Sequence, residues 1–226
     1  MKVRASPEYW EKGKRSMQQI PHPIKLSSTF QAARSTTWDA LKADTFRQYG
    51  EFSWDRVVRG AITRRTFRAI VTLRLCQALA PKHRLRFLFL PLKRFHRWAT
   101  YRACIDLAWD TKIGPGITLT HGWGLVVSPG AKIGSNVTLF HGVTLGRRDR
   151  ISADGSRQIE YPVIEDDVWI GPHAIIVGGV TVGRGSRIAG GAFVTENVPS
   201  HSIVSGNPAA VVKTNCICDV MNPAPL

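Results

Sequence analysis

The stretch from Ile164 to Val194 reads "IEDDVWIGPHAIIVGGVTVGRGSRIAGGAFV" and places an aliphatic residue at every sixth position. These positions are Ile164, Ile170, Ile176, Val182, Ile188 and Val194. Upstream, the same step gives Ile113, Leu119 and Leu125, and then Ile133, Leu139 and Leu145. A six-residue period is typical of hexapeptide β-helices, in which each hexapeptide forms one short strand and a turn. Three hexapeptides close one coil, and the aliphatic side chains point inward and stack on neighbouring coils.

A second set of residues, mostly small or β-branched, follows the aliphatic positions by four residues. This set comprises Ile117, Val137, Val143, Val168, Ala174, Val180, Ser186, Ala192 and Val198. Together the two sets predict a parallel β-helix over residues 104–213. Two breaks interrupt it, because the step from Leu125 to Ile133 is eight residues and a polar insert precedes Ile164. We expect the insert, residues 147–162, to leave the solenoid as a loop, where functional residues often collect.

The formal charge of the 226-residue chain is +15, and much of it precedes the repeat. Between Arg56 and Arg102 there are thirteen Lys and Arg residues and no Asp or Glu, interleaved with apolar residues. Pro81 and Pro91 divide this stretch, which predicts two or three basic amphipathic helices. Such helices are typical of anionic membrane surfaces. The alternatives are a helical cap packed on the solenoid, and nucleic acid binding, which the apolar run "LRFLFLPL" disfavours.

The other segments complete the predicted organisation. Residues 1–35 are polar and broken by prolines, so we expect a flexible arm. Residues 36–103 form the basic helical region, in which Thr37 caps the first helix and Gly50 ends it. Residues 214–226 form a tail. The N-terminus has no signal-peptide character and no run of 18 apolar residues exists, so we expect a cytoplasmic protein.

Two histidines occupy equivalent positions in the repeat. His121 follows Leu119 by two residues, and His141 follows Leu139 by two residues. The twenty residues between the histidines are one full coil once the eight-residue step is counted. We therefore expect both rings at one corner of successive coils, about 4.8 Å apart along the axis. A neutral imidazole beside a cleft can take a proton from a hydroxyl near neutral pH, whereas the alternative is that repeated turns only tolerate histidine.

A carboxylate that fixes the tautomer of the imidazole would support such a base. Asp106 and Asp110 lie fifteen and eleven residues before His121, and their spacing alone leaves both open. A Ser-His-Asp hydrolase is disfavoured, because the chain has no Gly-x-Ser-x-Gly motif. The two histidines have no apparent third ligand and the four cysteines are scattered, so we expect neither a metal site nor a disulfide framework.

Residues 104–213 resemble the serine acetyltransferase branch of the hexapeptide acyltransferases. The resemblance rests on "IDLAWDTKIGPGITLTHGWGLVVSPGAKIGSNVTLFHGVTLG" and on the segment that begins "VIEDDVWIGPHAIIVGG". It implies a left-handed β-helix and transfer of an acetyl group from acetyl-CoA to a hydroxyl. His121 matches the catalytic base of the family, and Asp106 matches its supporting carboxylate. The resemblance also implies a homotrimer, with active sites and CoA grooves between neighbouring solenoids.

The same resemblance suggests where acetyl-CoA binds. Gly146, Pro172 and Gly190 match turns that contact CoA in the family, and we expect Lys213 near the phosphates. Backbone N–H groups near Gly146 would stabilise the oxyanion of the tetrahedral intermediate.

Two departures from the family concern the acceptor. Serine acetyltransferases carry an Asp where this chain has Thr120, and a second His where it has Tyr161. Neither residue supplies the charge that a free amino acid needs. In addition, "LFHGVTLG" and "RFLFLPLKRFHRW" are more similar to colanic-acid type acetyltransferases, which modify sugars of surface polysaccharides.

We therefore expect the acceptor to be a sugar hydroxyl of a surface-polysaccharide or lipid-linked glycan precursor. Thr120, His141 and Tyr161 would contact it, and residues 56–102 would hold the enzyme at the inner face of the cytoplasmic membrane. The alternatives are serine O-acetylation for cysteine biosynthesis and a non-catalytic β-helix scaffold. We expect no nucleic acid partner.

Overall fold

A parallel β-helix follows a group of helices along the chain. The computed structural model describes residues 36–80 and 86–225, and the predicted arm lies outside the described residues. The helices are α1 (Thr37–Tyr49), α2 (Trp54–Thr63), α3 (Arg65–Leu79) and α4 (Arg86–Ala103). None of these four is long and apolar enough to cross a membrane.

The strands of the β-helix are two to four residues long and stack into three sheets. In chain order they are β1 (Ile105–Leu107), β2 (Lys112–Ile113), β3 (Thr118–Thr120), β4 (Leu125–Val127), β5 (Lys132–Ile133), β6 (Thr138–Phe140), β7 (Thr144–Gly146), β8 (Arg148–Ile151), β9 (Arg157–Glu160), β10 (Val163–Ile164), β11 (Trp169–Ile170), β12 (Ile175–Val177), β13 (Thr181–Val182), β14 (Arg187–Ile188), β15 (Phe193–Val194), β16 (Ile203–Ser205) and β17 (Ala210–Lys213). Sheet A contains β1, β4, β7, β12 and β15, and sheet B contains β2, β5, β10 and β13. Sheet C contains β3, β6, β11, β14 and β16, to which β17 adds in the antiparallel direction. The other pairs in these sheets are parallel and in register, as in the pairing of Ile105 with Leu125.

The core confirms the hexapeptide prediction. Every predicted inward aliphatic is buried except Ile113, which is half-buried in the first coil. All members of the second, smaller set are buried as well. Burying one Val, Leu or Ile side chain contributes about 1.5–3 kcal/mol relative to exposure. The column of inward side chains is therefore the main source of stability in the solenoid.

The two breaks in the repeat become a turn and a hairpin. In the eight-residue step, the N–H of Ala131 donates to the carbonyl of Ser128 at 2.9 Å and closes a turn. The long insert leaves the solenoid after β7, and β8 and β9 pair in the antiparallel direction. An ion pair of 2.9 Å between Arg148 and Glu160 closes the base of this hairpin. The predicted loop therefore has β-structure of its own.

One detail predicted for the first helix is wrong. Thr36, not Thr37, is the N-cap of α1, because its hydroxyl accepts from the N–H of Asp39 and the Asp39 carboxylate accepts from the N–H of Thr36. This reciprocal pair satisfies two backbone donors. Gly50 ends the helix as expected, with a φ of +77° in the left-handed region that favours glycine.

Pro91 does not divide the basic region, because α4 continues through it. A proline inside a helix removes one N–H, here the donor to the carbonyl of Phe87. Phe87 and Pro91 are both exposed, so water can satisfy that carbonyl. Pro81, the other predicted break, lies outside the described residues.

A buried ion pair joins the helices to the first coil. The carboxylate of Asp44 on α1 accepts from Nε of Arg74 on α3 at 2.8 Å, and both side chains are fully enclosed. Arg74 also donates to the carbonyl of Gly114, and Asp44 accepts from the N–H of Ile117. Burial raises the pKa of Asp44, and the guanidinium of Arg74 opposes this rise. The helices and the solenoid share one hydrophobic cluster around this pair.

The C-terminal tail runs back along one corner of the solenoid. The N–H of Cys216 donates to the carbonyl of His201 at 2.8 Å, beside the last strand of sheet C in the β-helix. Farther along, the N–H of Ala224 donates to Oδ1 of Asn136 at 3.1 Å, three coils below. Residues 214–225 therefore form a strap over the corner that precedes sheet C.

His96 lies on the inner side of α4, where it is buried. Its Nε2 donates to the carbonyl of Leu107 at 3.0 Å, and its Nδ1 lies 2.8 Å from the hydroxyl of Thr72. Burial lowers the pKa of His96, and the hydrogen bond to Leu107 opposes the shift.

We predict that the free energy of unfolding decreases as the pH falls below about 6.5, the ordinary pKa of histidine. In that range the unfolded chain binds a proton at His96 that the folded chain excludes, so acid favours unfolding. The His96→Gln variant should lose part of this dependence between about pH 7.5 and about pH 5. Urea denaturation at both pH values measures this dependence. Identical pH dependence in wild type and His96→Gln would contradict the prediction.

Candidate active site

His121 occupies the turn after β3, where it is exposed to solvent. Its φ is +64°, in the left-handed region, which costs roughly 1–2 kcal/mol for most L-residues although histidine occurs there more often than most. The carbonyl of His121 accepts from Nη2 of Arg65 at 2.8 Å, and that guanidinium lies 3.6 Å from the ring centroid of Trp123. The start of α3 therefore holds the turn in place from outside the solenoid.

Three imidazole rings, those of His121, His141 and His173, form a histidine column at this corner, each edge to face with the next. The ring centroids of His121 and His141 lie 5.8 Å apart at an interplanar angle of 74°, which confirms their expected proximity. His173 adds a third ring, 5.0 Å from that of His141 at 89°. Sequence reasoning missed His173 because it follows its aliphatic residue by three positions instead of two. Within residues 36–80 and 86–225, no group of three His, Cys, Asp or Glu side chains is arranged to hold a metal ion.

The middle of this histidine column is tightly packed. A Cβ added to Gly142 would lie 2.2 Å from Nδ1 of His173, so the ring of His173 lies directly over that glycine. The Nδ1 atom of His141 is buried, and no group in the described part of the chain forms a hydrogen bond with it. The column therefore restricts how each ring can turn.

The predicted supporting carboxylate lies one coil below His121. Asp106 is exposed on β1, pairs with Val126, and lines a surface depression together with Gly124. Among the described residues, no hydrogen bond connects the carboxylate of Asp106 to His121. Asp110, the other carboxylate that spacing allowed, is exposed in the turn after β1.

A cavity of about 510 Å³ opens beside His121, between the helices and sheet C. It is lined by Gln48, Thr63, Arg64, Arg65, Thr66, Thr118, Leu119, Thr120 and His121. The predicted substrate contact Thr120 is thus next to the candidate base. Two arginines and four threonines contribute to the wall, and none of the described lining residues is a carboxylate. A volume of this size suits a small-molecule ligand.

Tyr161 lies at a different corner of the solenoid. Its ring packs flat on Gly130, where an added Cβ would approach the ring to 2.5 Å. That corner precedes sheet B, whereas His121 lies at the corner that precedes sheet A. A single chain therefore does not bring the predicted contact Tyr161 to His121.

Only two of the four residues expected to contact CoA lie next to each other. Pro172 and Gly190 stack on successive coils, and a Cβ added to Gly190 would lie 3.1 Å from the carbonyl oxygen of Pro172. Gly146 lies at the far end of β7, where the hairpin leaves. Lys213 is exposed at the end of β17.

Comparison with known proteins places this geometry in a family. A family model described as bacterial transferase hexapeptide (six repeats) matches residues 161–196. The serine acetyltransferase of Bacillus licheniformis is 37% identical over 147 residues, which cover 65% of this chain and 64% of the relative. The structure of soybean serine acetyltransferase complexed with serine is 31% identical, with a TM-score of 0.59 over 79% of this chain and 69% of that chain. The chain belongs to the serine acetyltransferase branch of the hexapeptide-repeat transferases.

Another member of this family is similar over the same part of the chain. The structure of the Brucella abortus serine acetyltransferase in complex with coenzyme A is 30% identical, with a TM-score of 0.59 over 80% of this chain and 68% of that one. The chain spans 29% to 64% of the length of three curated serine acetyltransferases that it matches. These matches do not show the predicted likeness to colanic-acid type acetyltransferases.

We predict that Gly142→Ala destabilises the protein more than Gly191→Ala. Both glycines have a φ near +70°, at +68° and +71°, so a side chain strains the backbone at either position. Only at Gly142 does the new Cβ meet the ring of His173, because Gly191 has no neighbour within 4 Å. Gly191→Ala should cost roughly 1–2 kcal/mol, and Gly142→Ala should cost more.

Urea denaturation of these variants, with His173→Ala alone and combined with Gly142→Ala, measures the effect of the ring. Gly142→Ala should cost less in the His173→Ala background, since the obstructing ring is gone. Equal losses at the two glycines would show that His173 does not pack on Gly142.

Proposed function

We propose that the protein is an O-acetyltransferase that moves an acetyl group from acetyl-CoA to a hydroxyl, with His121 as the general base. The observation that supports this most is the position of His121, which is an exposed imidazole at the wall of a threonine-lined cavity. Relatives with this solenoid include structures described as complexes with coenzyme A and with serine.

In this mechanism, His121 removes the proton from the acceptor hydroxyl as its oxygen attacks the thioester carbonyl. A C–O bond forms, and the tetrahedral intermediate then collapses as the C–S bond breaks. The imidazolium returns the proton to the departing CoA thiolate. Backbone N–H groups near Gly146 would stabilise the oxyanion from a second copy of the chain, because Gly146 and His121 lie at different corners of one solenoid. Asp106 would orient the imidazole once substrate is bound, since catalytic hydrogen bonds often tighten only in the complex.

L-Serine is the acceptor that the relatives support best, because they are named as serine acetyltransferases. A sugar hydroxyl of a surface-polysaccharide or lipid-linked glycan precursor is the second candidate. One observation favours it, because the cavity has Thr120 and no carboxylate among its described lining residues. An amino acid would therefore find no anionic partner for its ammonium group in that wall.

We further propose a homotrimer in which acetyl-CoA lies along the groove past Pro172 and Gly190. In one chain, Tyr161 and His121 lie at different corners of the triangular coil. A threefold arrangement of solenoids would place a different corner of a second copy beside His121. Tyr161 would contact the acceptor only across such an interface.

The outer face of α4 supports peripheral contact with the anionic inner face of the cytoplasmic membrane. Its exposed residues include Phe87, Leu88, Leu90, Phe95, Trp98 and Tyr101, together with Lys93, Arg94, Arg97 and Arg102. In contrast, the middle of α3 packs inside, with Phe67, Ile70 and Leu73 buried. The predicted basic region of 56–102 therefore divides into a helix that caps the solenoid and a helix that offers a basic, apolar surface. Each Lys or Arg near an anionic membrane contributes about 1 kcal/mol.

We predict that His121→Ala lowers turnover by about 10²–10⁴-fold, the usual contribution of a positioned base. The fold should persist, because the ring is outside the core. A thiol-release assay with acetyl-CoA measures turnover, with L-serine and a panel of glycans offered as acceptors. His201→Ala, at the opposite end of sheet C, should retain wild-type turnover. Near-normal turnover in His121→Ala would contradict the assignment and point to His141.

We predict that the protein floats with anionic liposomes and that added salt weakens this binding, because exposed charges are screened over about 8–10 Å at physiological ionic strength. Replacing Phe95 and Trp98 with serine should reduce flotation, since both are exposed on α4. Ile62→Ser, at an exposed residue of α2, is the matched control. Equal flotation with neutral liposomes, or no flotation with anionic liposomes at low salt, would contradict the prediction. The alternative, a helical cap whose arginines are only solvated, would then hold for α4.

A further inference from the structure

The cavity beside His121 carries positive charge that acetyl transfer itself does not require. Arg64 and Arg65 both line it. Arg65 is already engaged, because it donates to the carbonyl of His121 and stacks on Trp123. Arg64 is exposed and lies over the ring of Tyr49, 5.3 Å from its centroid, an arrangement that leaves its N–H groups available. The cavity wall therefore presents a guanidinium with unused donors close to the candidate base.

The start of α3 adds further donors to the same wall. Arg64 is the N-cap of this 15-residue helix, and no side chain forms a capping hydrogen bond there. The first turn contains no acidic residue. The first N–H groups of a helix have no acceptor within the helix, and its N-terminus carries partial positive charge. Arg65 and Thr66 provide such N–H groups, and both line the cavity.

Nearby acidic side chains do not cancel this charge. Asp55 pairs with Arg59 at 3.2 Å, and Glu51 pairs with Arg56, so the two carboxylates closest along the chain are engaged elsewhere. The hydroxyls of Thr66 and Thr120 add donors to the wall, whereas that of Thr63 already donates to the carbonyl of Arg59 and that of Thr118 is buried. The combination of guanidinium, hydroxyl and backbone donors without a carboxylate suits an oxyanion.

We propose that Arg64 and the first turn of α3 bind an anionic group of the acceptor, a phosphate or a carboxylate, while the hydroxyl of the same acceptor reaches His121. The inference rests on the proposed function and adds the chemical class of its substrate, a hydroxylated oxyanion. A cavity of about 510 Å³ is larger than free serine requires and accommodates a sugar phosphate. Arg64 is then a binding residue that determines specificity.

Binding of inorganic phosphate tests the site without acetyl transfer. At constant ionic strength, phosphate should bind the 226-residue protein saturably, as measured by calorimetry. Arg64→Gln should weaken binding about ten- to a hundredfold, the usual effect of losing a charged hydrogen bond. Arg64→Lys should keep part of the affinity, because the charge remains but the planar fork is lost. Arg94→Gln removes the same charge from an exposed residue of α4 outside the cavity and should bind like the wild type. Absence of saturable binding, or equal affinity in Arg64→Gln and Arg94→Gln, would overturn the proposal.

Acetylation assays then identify the anionic group. L-Serine is compared with its methyl ester, and a sugar is compared with its phosphate. If Arg64 binds the anionic group, Arg64→Gln should raise the KM for the anionic member of a pair and leave the KM for its neutral partner unchanged. The pair that responds in this way contains the group that Arg64 binds. Discrimination unchanged by Arg64→Gln in both pairs would overturn the proposal. His121→Ala should bind phosphate normally while turnover falls, so phosphate binding without any acetyl transfer would refute the proposed function and leave the anion site intact.

Discussion

The buried pair of Asp44 and Arg74 fixes how the helices meet the solenoid, and the candidate site depends on that placement. Arg74 reaches the backbone of the first coil at Gly114, and Asp44 accepts the N–H of Ile117. Removing one partner of such a pair leaves an uncompensated buried charge, which typically costs 3–5 kcal/mol. With α3 anchored at Arg74, its N-terminal end lies over the His121 turn, where Arg65 holds the carbonyl of the candidate base.

The solenoid was the most predictable part of the molecule. An inward position in a six-residue repeat has no alternative orientation, so spacing alone predicted the buried column. Exceptions arose where the local pattern shifts. His173 belongs to the histidine column, but it follows its aliphatic residue by three positions instead of two. Pro91 is tolerated inside α4 because the carbonyl that it leaves without a donor faces solvent.

The basic region, residues 56–102, shows why the sequence alone could not predict which of its arginines are buried and which are exposed. Arg65, Arg74 and Arg94 look alike in a stretch without acidic residues, yet their surroundings differ completely. Arg74 is enclosed with a carboxylate, Arg65 clamps a turn, and Arg94 lies in water. Only tertiary packing decides between these environments, so neither the membrane interpretation nor the alternative of a helical cap predicted the cavity. The helices and the solenoid form that cavity together, so the proposed acceptor binding would involve both parts of the chain.

The tail strap also changes how the solenoid can unfold. In repeat proteins each coil touches only its neighbours, so coils can open from an end without disturbing the rest. Here the tail connects the level of His201 with that of Asn136, and its Met221 carbonyl accepts from Arg47 of α1. Opening the last coil therefore also strains contacts three coils away. Because the strap links distant coils, we expect this solenoid to unfold more cooperatively than one whose coils touch only their neighbours.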